Sequence, residues 1–310
     1  MHVFGPVPSR RLGNSLGINN IPPKHCSFSC VYCQLGRTKK MEIERRRYFE
    51  PSDLLMEVEQ KIKAAEEAAA PIDYLTFVAD GEPTLDENLG YLIDGLKGFG
   101  KKVAVISNAS TIWRADAREE LARADWVCLK VDSVREDIWR KIDRPHGSLN
   151  MRAIHDGMFE FSRSYKGVLT MQTMLIDGMN DDAVQLEEIA EFVSRLKPEI
   201  AYLSIATRPP AEKEIKPPSD DKLNLAYQIF SDKIPKVEYL IDYEGNNFAN
   251  TGDTAQDLLN IVSVHPMRES AVKEFLEKSG QSWDLMDGLV SEGKISSSEY
   301  GGHRYYLRKY

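Results

Sequence analysis

Three of the four cysteines in this sequence are crowded into the segment KHCSFSCVYCQ, residues 24–34. Cys26, Cys30 and Cys33 have the spacing Cys-x3-Cys-x2-Cys, and Cys128 stands far from them. Thiolates are soft ligands that suit iron–sulfur clusters, zinc and Cu(I). The N-terminal sequence MHVFGPVPSRRLG lacks the continuous apolar stretch of a secretory signal, which predicts a cytoplasmic protein with reduced thiols. The cysteines therefore indicate metal or redox chemistry rather than disulfides.

The number of cysteines limits the kind of metal site. A closed structural zinc site needs four ligands, commonly two Cys-x2-Cys pairs or a combination of Cys and His. The chain has no second pair, and His25 directly precedes Cys26, which is a poor geometry for shared coordination. Zinc and an electron-transfer cluster with a distant fourth ligand stay open as alternatives. A [4Fe–4S] cluster on three thiolates would leave one iron free for a substrate or cofactor.

The composition is that of an ordinary globular protein. Of 310 residues, 42% are hydrophobic, and no run of about eighteen apolar residues suggests a membrane span. The formal net charge of -8 weighs against a large nucleic-acid interface, which needs a basic surface. We expect no membrane contact, and the length suits one large domain with a small appendage.

Apolar strands and amphipathic helices alternate along most of the chain. The predicted strands are SLGIN, IDYLTFVAD, KVAVISNAS, WVCLKVDS, VLTMQTMLIDG, IAYLSIATRPP and KVEYLIDY, with helical segments such as PSDLLMEVEQKIKAAEEAAA between them. This order predicts an α/β fold of parallel strands joined by helical crossovers. A partial (β/α)6 barrel over residues 1–250 fits best, and a doubly wound sheet is the competing arrangement.

Polar residues collect where the predicted strands end. They are Asp80–Gly81–Glu82, Ser107–Asn108, Lys130 with Asp132, Asp177–Gly178 and Thr207–Arg208. The cysteine segment follows the first strand in the same sense. The carboxyl ends of parallel strands meet at one edge of the sheet, where α/β enzymes place their active sites. The sequence therefore predicts one active site at this edge.

Lys130 and Asp132 are the predicted catalytic residues. Side chains alternate along a strand, so Cys128, Lys130 and Asp132 share one face, and the intervening valines and leucine share the other. The apolar face should pack against helices, which points the charged residues into the barrel. The pair could bind substrate or transfer a proton, or it could be an ion pair without a chemical role. Cys128 is expected to be a buried structural thiol.

The cysteine segment resembles the signature of radical S-adenosylmethionine (SAM) enzymes. Its spacing follows a first strand, and an aromatic residue, Tyr32, precedes the last cysteine. The resemblance implies a [4Fe–4S] cluster on Cys26, Cys30 and Cys33, with SAM bound to the open iron through its amino and carboxylate groups. It implies that reduction cleaves SAM to methionine and a 5′-deoxyadenosyl radical, which abstracts hydrogen from a substrate. The reductant expected for the family is a ferredoxin or flavodoxin.

Further positions match this family one at a time. Gly81 and Glu82 resemble the segment that binds the SAM amino group, although Asp80 stands in place of the first glycine of that segment. Ser107 and Asn108 resemble the polar pair that contacts the ribose or carboxylate of SAM. Ile176 resembles a residue of the adenine wall. The resemblance thus implies cofactor contacts at Tyr32, Gly81, Glu82, Ser107, Asn108 and Ile176.

The segments FGPVPSRRLGNSLGIN and CVYCQLGRT look like a radical SAM group that is similar to the tRNA wyosine-synthesis enzymes, the 4-demethylwyosine synthases. The archaeal synthases carry a second cluster on additional cysteines. Only Cys128 remains here, so we expect no second cluster, and the tRNA reaction is not implied. The substrate stays open, with RNA or peptide as macromolecular candidates. Arg144, His146 and Arg208 are candidate contacts for an anionic substrate, with turn formation around Arg144 and His146 as the alternative.

The pattern changes in residues 251–310. TAQDLLNIVSVHP, RESAVKEFLEKSG and QSWDLMDGLVSEG predict three short helices, and KISSSEYGGHRYYLRKY predicts a hairpin about a Gly-Gly turn. Together they predict a small winged-helix domain. The expected reading helix contains Asp284, Asp287 and Glu292 without Lys or Arg, which does not favour DNA recognition. The alternative to an enzyme is an iron–sulfur sensor that binds nucleic acid through this domain.

Overall fold

The computed structural model describes residues 2–78, 80–241, 245–246, 248–250 and 252–309. Its strands are β1 (Val3–Ser9), β2 (Gly13–Ile18), β3 (His25–Cys26), β4 (Lys40–Met41), β5 (Tyr74–Phe77), β6 (Lys102–Ser107), β7 (Trp126–Lys130), β8 (Val168–Met174), β9 (Ile200–Ser204), β10 (Val237–Leu240), β11 (Met267–Arg268), β12 (Ile295–Tyr300) and β13 (His303–Arg308). Its helices are α1 (Pro51–Glu67), α2 (Leu89–Lys97), α3 (Ala115–Leu121), α4 (Glu136–Ile142), α5 (Met151–Ser164), α6 (Ala183–Arg195), α7 (Asp220–Ser231), α8 (Thr254–Val264), α9 (Glu269–Lys278) and α10 (Asp284–Ser291). None of the helices in these ranges combines the length and apolar character that crossing a membrane requires.

Eight strands form the main sheet, in the order β1-β2-β5-β6-β7-β8-β9-β10. All neighbours from β2 to β10 are parallel, and β1 runs antiparallel beside β2. A doubly wound sheet would reverse its strand order beside the first strand, whereas these parallel strands follow the chain order throughout. The sheet curls into a half-barrel, which confirms the α/β partial-barrel prediction.

The predicted strands lie close to the observed ones, with differences at their ends. The last, KVEYLIDY, is observed as β10, and its predicted end at Asp242 and Tyr243 lies outside the described residues, as does Ala79 after β5. Helix α1 begins at Pro51, where proline is tolerated because the first helical N–H has no partner within the helix. The alternation of polar and apolar runs therefore predicted the approximate positions of the strands and of the helices that connect them.

Strand β7 shows how the half-barrel is packed. Val127 and Leu129 are fully buried in the large core that the helices share with the outer face of the sheet. Cys128 is fully buried in a separate inner cluster with Leu12 and Tyr202. The predicted alternation along this strand is confirmed, and Cys128 is a packed interior thiol. The inner cluster fills the amino end of the half-barrel and leaves space toward its carboxyl edge.

Strand β1 is an element that the sequence analysis missed. Its sequence VFGPVPS contains two prolines, which an edge strand tolerates because proline cannot donate to a neighbouring strand. The register pairs Val3 with Ile18 and Ser9 with Gly13, so the turn at residues 10–12 lies at the amino end of β2. Leu12 of this turn belongs to the inner cluster. The turn therefore forms a floor for the half-barrel.

The segment 252–309 packs against the half-barrel. It contains α8, α9 and α10 and an antiparallel sheet of order β11-β13-β12, so the three helices and the hairpin are observed. Its apolar cluster includes Phe4 and Val7 of β1. The Tyr300 hydroxyl donates to the Ala206 carbonyl oxygen at 2.7 Å, and that of Tyr305 donates to the Thr207 carbonyl oxygen at 2.9 Å. The segment thus contacts both β1 and the loop after β9.

Candidate active site

One cavity of about 300 Å³ opens at the carboxyl edge of the half-barrel. Cys26, Cys30 and Cys33 line it together with residues from the ends of β5, β6, β7, β8 and β9. Among the residues predicted at this edge, the lining includes Tyr32, Gly81, Glu82, Ser107, Asn108 and Lys130. Most of the polar residues predicted at the strand ends therefore line this cavity, whereas Asp132, Asp177 and Gly178 are not among its lining residues.

The cysteine segment is held by main-chain contacts to the end of α4. The amide of Val31 donates to the Ile142 carbonyl oxygen at 2.9 Å, and that of Ser29 donates to the Asp143 carbonyl oxygen at 3.0 Å. The Cys30 thiol donates to Asp143 Oδ1 at 3.3 Å. These contacts fix the loop between β3 and β4 although it has almost no regular structure of its own.

The three thiols are free and partly exposed to the cavity. Burial, and after it the Glu82 carboxylate, raise the pKa of the Cys26 thiol to about 12. Burial also raises the pKa of Cys30, with Asp143 as the next cause, and it raises the pKa of Cys33. A thiolate is therefore unfavourable here unless a metal centre supplies positive charge. Three soft donors around one cavity have the chemistry that an iron–sulfur cluster requires.

The positions of the three cysteine side chains also bear on the choice between a zinc ion and an iron–sulfur cluster. No three His, Cys, Asp or Glu side chains among the described residues lie close enough together to hold a single metal ion. In a tetrahedral zinc site the sulfurs are about 3.8 Å apart, from a Zn–S distance of about 2.3 Å. In a cluster of several irons each thiolate binds a different iron, so three thiols that line one cavity need not converge on a single point.

Glu82 connects the ends of β5 and β6. Its Oε1 accepts hydrogen bonds from the Thr84 amide at 3.1 Å, the Thr84 hydroxyl at 2.6 Å and the Ser107 hydroxyl at 2.7 Å. Its Oε2 accepts one from the Asn108 amide at 2.7 Å. Burial raises the pKa of Glu82 although these donors favour the carboxylate. Because Oε2 has a single donor within the described part of the chain, the carboxylate can still accept a hydrogen bond from a ligand in the cavity.

Asn108 contacts the cysteine segment directly. Its Nδ2 group donates to the Cys26 sulfur at 3.5 Å and to the Ser27 hydroxyl at 3.1 Å. The same residue meets Glu82 through its main-chain amide. Asn108 therefore joins the first cysteine to the acidic residue after β5.

Lys130 and Asp132 have different surroundings. No contact of 4 Å or less joins their charged groups, although the Asp132 carboxylate still attracts the Lys130 ammonium. The Lys130 ammonium lies in the cavity, 5.6 Å from the centre of the Tyr32 ring. Asp132 is buried behind that ring, where it accepts hydrogen bonds from the Tyr32 hydroxyl and from the Met174 amide at 2.7 Å. Burial raises the pKa of Asp132. The geometry gives Lys130 access to a ligand, whereas Asp132 holds Tyr32.

Several other predicted residues lie away from the cavity lining, including Gly178 and Asp177, which forms an ion pair with Lys222. Ile176 is buried in a cluster with Val31 and Tyr32, behind the cysteine segment. Arg144 forms an ion pair with Glu212. His146 accepts a hydrogen bond from the Ser148 amide at 3.2 Å, as a turn residue does. The alternative of turn formation therefore fits His146, and Ile176 packs against Val31 and Tyr32 of the cysteine segment.

The cavity contains residues that sequence reasoning missed. They are Arg10 and Arg11 from the floor turn, Lys24 before the first cysteine, Gln172 of β8 and His265 after α8. Gln172 gave a usable signal, because it is a polar residue on the inward face of an apolar strand. His265 gave none, because its position depends on how segment 252–309 packs against the half-barrel.

Segment 252–309 completes the wall of the cavity. Arg208, a predicted substrate contact, lines the cavity, and its Nη2 lies 2.7 Å from His265 Nε2. The Gln34 side chain, next to Cys33, donates to the Val264 carbonyl oxygen at 2.7 Å. The end of α8 therefore contacts both the cysteine segment and the loop after β9.

Comparisons with known proteins agree with this geometry. The family model of the radical SAM superfamily matches residues 20–193. The UPF0026 protein MJ1312 of Methanocaldococcus jannaschii is 46% identical over 307 residues, which cover 98% of this chain and 95% of that protein.

Solved structures with similar folds are known. A structure of TYW1 with a lysine–pyruvate adduct bound has a TM-score of 0.55 at 19% identity, and the match covers 72% of this chain and 76% of that one. Streptococcus suis SuiB bound to S-adenosylmethionine has a TM-score of 0.53 at 14% identity, over 74% of this chain and 52% of that one. At these identities the likeness concerns the fold.

Proposed function

The chain belongs to the radical SAM superfamily, and on that premise we propose that the cavity at the carboxyl edge of the half-barrel is its active site. Membership makes the protein an enzyme with a [4Fe–4S] cluster and SAM as cofactors. When bound, the reduced cluster and SAM supply a 5′-deoxyadenosyl radical, which abstracts hydrogen from a substrate. The residues of this chain must then bind both cofactors, position the substrate and limit access of water.

Cys26, Cys30 and Cys33 hold the cluster in this proposal. The observation that carries it is the convergence of three thiols, Glu82 and Asn108 on one cavity. The hydrogen bond from Asn108 to the Cys26 sulfur is of the kind that orients and stabilises a metal-bound thiolate. The contacts of the loop to the end of α4 hold the part of the segment that carries Cys30.

Gly81, Glu82, Ser107 and Asn108 bind SAM in this proposal. The free acceptor capacity of Glu82 Oε2 suits an ammonium group, because a carboxylate with unused lone pairs attracts a donor cation. Ser107 supports Glu82 through its hydroxyl, and Asn108 faces the first cysteine. Ile176 acts by packing against the cysteine segment, and Tyr32 of that segment lines the cavity.

Lys130 is the catalytic or substrate-binding candidate, and Asp132 acts through Tyr32. An ammonium group in the cavity can bind a substrate or move a proton.

We also propose that residues 1–250 form the barrel domain and residues 251–310 a winged-helix domain that closes its open side. The first turn of α10 carries Asp284 and Asp287, so we do not assign DNA recognition to it. The comparisons give no support to a sensor.

Anaerobic reconstitution tests the proposal. Protein loaded with iron and sulfide is reduced with dithionite in the presence of SAM, and 5′-deoxyadenosine is quantified. We expect wild-type protein to form it, Cys30→Ala to lose both cluster and product, and Cys128→Ala to keep both. A ferredoxin or flavodoxin with its reductase should replace dithionite. The proposal fails if fully loaded wild-type protein forms no product or if Cys30→Ala matches it.

A further inference from the structure

The deep part of the cavity contains two cations that come from distant parts of the chain. Arg11 belongs to the turn at residues 10–12 and lines the cavity inside the half-barrel. Lys130 is the last residue of β7 and lines the same cavity. No carboxylate of the described residues lies within ion-pairing distance of either side chain. Among the described residues, Arg11 contacts the neutral side chains of Gln172 and Cys128, and Lys130 lies over the Tyr32 ring.

The hydrogen bonds of Arg11 leave most of its donors unused. Its Nη1 group donates to Gln172 Oε1 at 2.6 Å and lies 4.0 Å from the Cys128 sulfur. A guanidinium has five N–H donors in a planar fork. In the described part of the chain, Nε and Nη2 have no acceptor. Gln172 thus aims the guanidinium while leaving its second edge for a ligand.

Lys130 and Gln172 lie side by side on neighbouring strands. The register of β7 and β8 pairs these two residues directly, and Gln172 also donates to the Ser204 hydroxyl of β9 at 3.0 Å. Gln172 is therefore tied on one side to Arg11 and on the other to β9. This row of inward side chains places an aimed guanidinium next to an ammonium group.

Two like charges in a partly enclosed cavity repel one another. Arg11 lies near enough to Lys130 for the two positive charges to repel one another. Desolvating cations without a counter-ion costs free energy, and proteins accept that cost where a ligand supplies the opposite charge. Two neighbouring oxygens of a carboxylate or a phosphate match the fork of an arginine, and a lysine adds a point charge.

We propose that Arg11 and Lys130 bind an oxyanion of the substrate, a carboxylate or a phosphate, in the deep part of the cavity. The inference rests on the proposed function, because the anion belongs to the molecule that the adenosyl radical attacks. Gln172 is the positioning residue for Arg11. The substrate class is therefore an anionic molecule, or an anionic group of a larger one, that reaches the interior of the half-barrel.

Calorimetry on the cluster-loaded protein tests this inference. Inorganic phosphate and acetate are titrated separately at constant ionic strength, with SAM already present, and the tighter binder identifies the kind of oxyanion. We expect saturable binding at one site. Arg11→Gln should weaken it about ten- to a hundredfold, since hydrogen bonds to charged groups contribute about 1.5–3 kcal/mol. Arg152→Gln, on the exposed side of α5, is the matched control and should bind as wild type.

Two further variants keep the test decisive if Arg11→Gln fails to fold. Arg11→Lys keeps the charge without the fork, and Lys130→Met removes the second cation, so both should bind more weakly than wild type. Absence of saturable binding, wild-type affinity in these variants, or displacement of SAM by the anion would overturn the inference. Protein that forms 5′-deoxyadenosine without binding either anion refutes only this inference. Protein that binds an anion but forms no 5′-deoxyadenosine refutes only the proposed function.

Discussion

Replacing Gly81 with alanine should disturb the cluster through a main-chain clash. A Cβ atom on Gly81 would lie 1.6 Å from the carbonyl oxygen of His25 and 2.7 Å from its carbonyl carbon. Contacts of real Cβ atoms are essentially never shorter than 3.0 Å, so the segments around Gly81 and His25 must move apart by about 1.4 Å. His25 directly precedes Cys26 in β3. The substitution therefore shifts the first cysteine or the segment that carries Glu82.

The size of the effect follows from the contacts that this shift breaks. The Lys24 amide donates to the Asp80 carbonyl oxygen at 2.7 Å, and the Glu82 amide donates to the His25 carbonyl oxygen at 3.3 Å. Losing two such hydrogen bonds costs about 1–3 kcal/mol of unfolding free energy. Metal–ligand distances tolerate only about 0.2 Å, so cluster loading should suffer more than stability.

Iron and sulfide content after anaerobic reconstitution measures the loading, and urea unfolding measures the stability. We expect Gly81→Ala to bind substantially less iron and to lose stability. Gly147→Ala is the matched control, because a Cβ there meets nothing within 4 Å and its backbone is not left-handed. Full iron loading of Gly81→Ala, with spectra like those of wild type, would show that cluster binding does not need the close approach of Gly81 to His25.

Two further predictions concern stability. Lys61 of α1 and Asp257 of α8 form an ion pair in which both side chains are largely buried, so Lys61→Met should lower the unfolding free energy by about 3–5 kcal/mol. Adding Asp257→Leu should restore much of the loss in urea unfolding, and no recovery would contradict the charge argument. Burial against Phe192 lowers the pKa of His155 to about 4. Because the unfolded chain binds this proton at a higher pH, stability should fall as the pH drops from about 6.5 to 4, by up to about 1.4 kcal/mol per pH unit. His155→Gln should remove this part of the pH dependence, and an unchanged profile would refute the assignment.

The sequence predicted those parts of the molecule that depend on local pattern. Alternating apolar and amphipathic runs indicated a half-barrel, since parallel strands need helical crossovers. The spacing of Cys26, Cys30 and Cys33 indicated a metal centre, because few other roles require three thiols so close together. The positions of Glu82 and Asn108 at strand ends placed them at the carboxyl edge.

Features that depend on long-range packing were not predictable. The two prolines of β1 make its sequence unlike that of a typical strand. Because β1 was not predicted, the turn that follows it and carries Arg11 could not be placed in the interior. The sequence places Lys130 and Asp132 on one face, but it does not show that the Tyr32 ring separates them. The side chains of Arg11 and Tyr32 are each positioned by a partner at least 100 residues away in the sequence.

The closure of the cavity has a consequence for radical chemistry. A half-barrel leaves a gap between its two edge strands, and a reactive radical in an open gap would react with solvent and small molecules. Here the floor turn fills one end, and segment 252–309 contacts β1 through Phe4 and the loop after β9 through Tyr300. The link from Gln34 to Val264 joins this closure to the residue next to Cys33. A movement of segment 252–309 away from the half-barrel would therefore break a hydrogen bond next to Cys33.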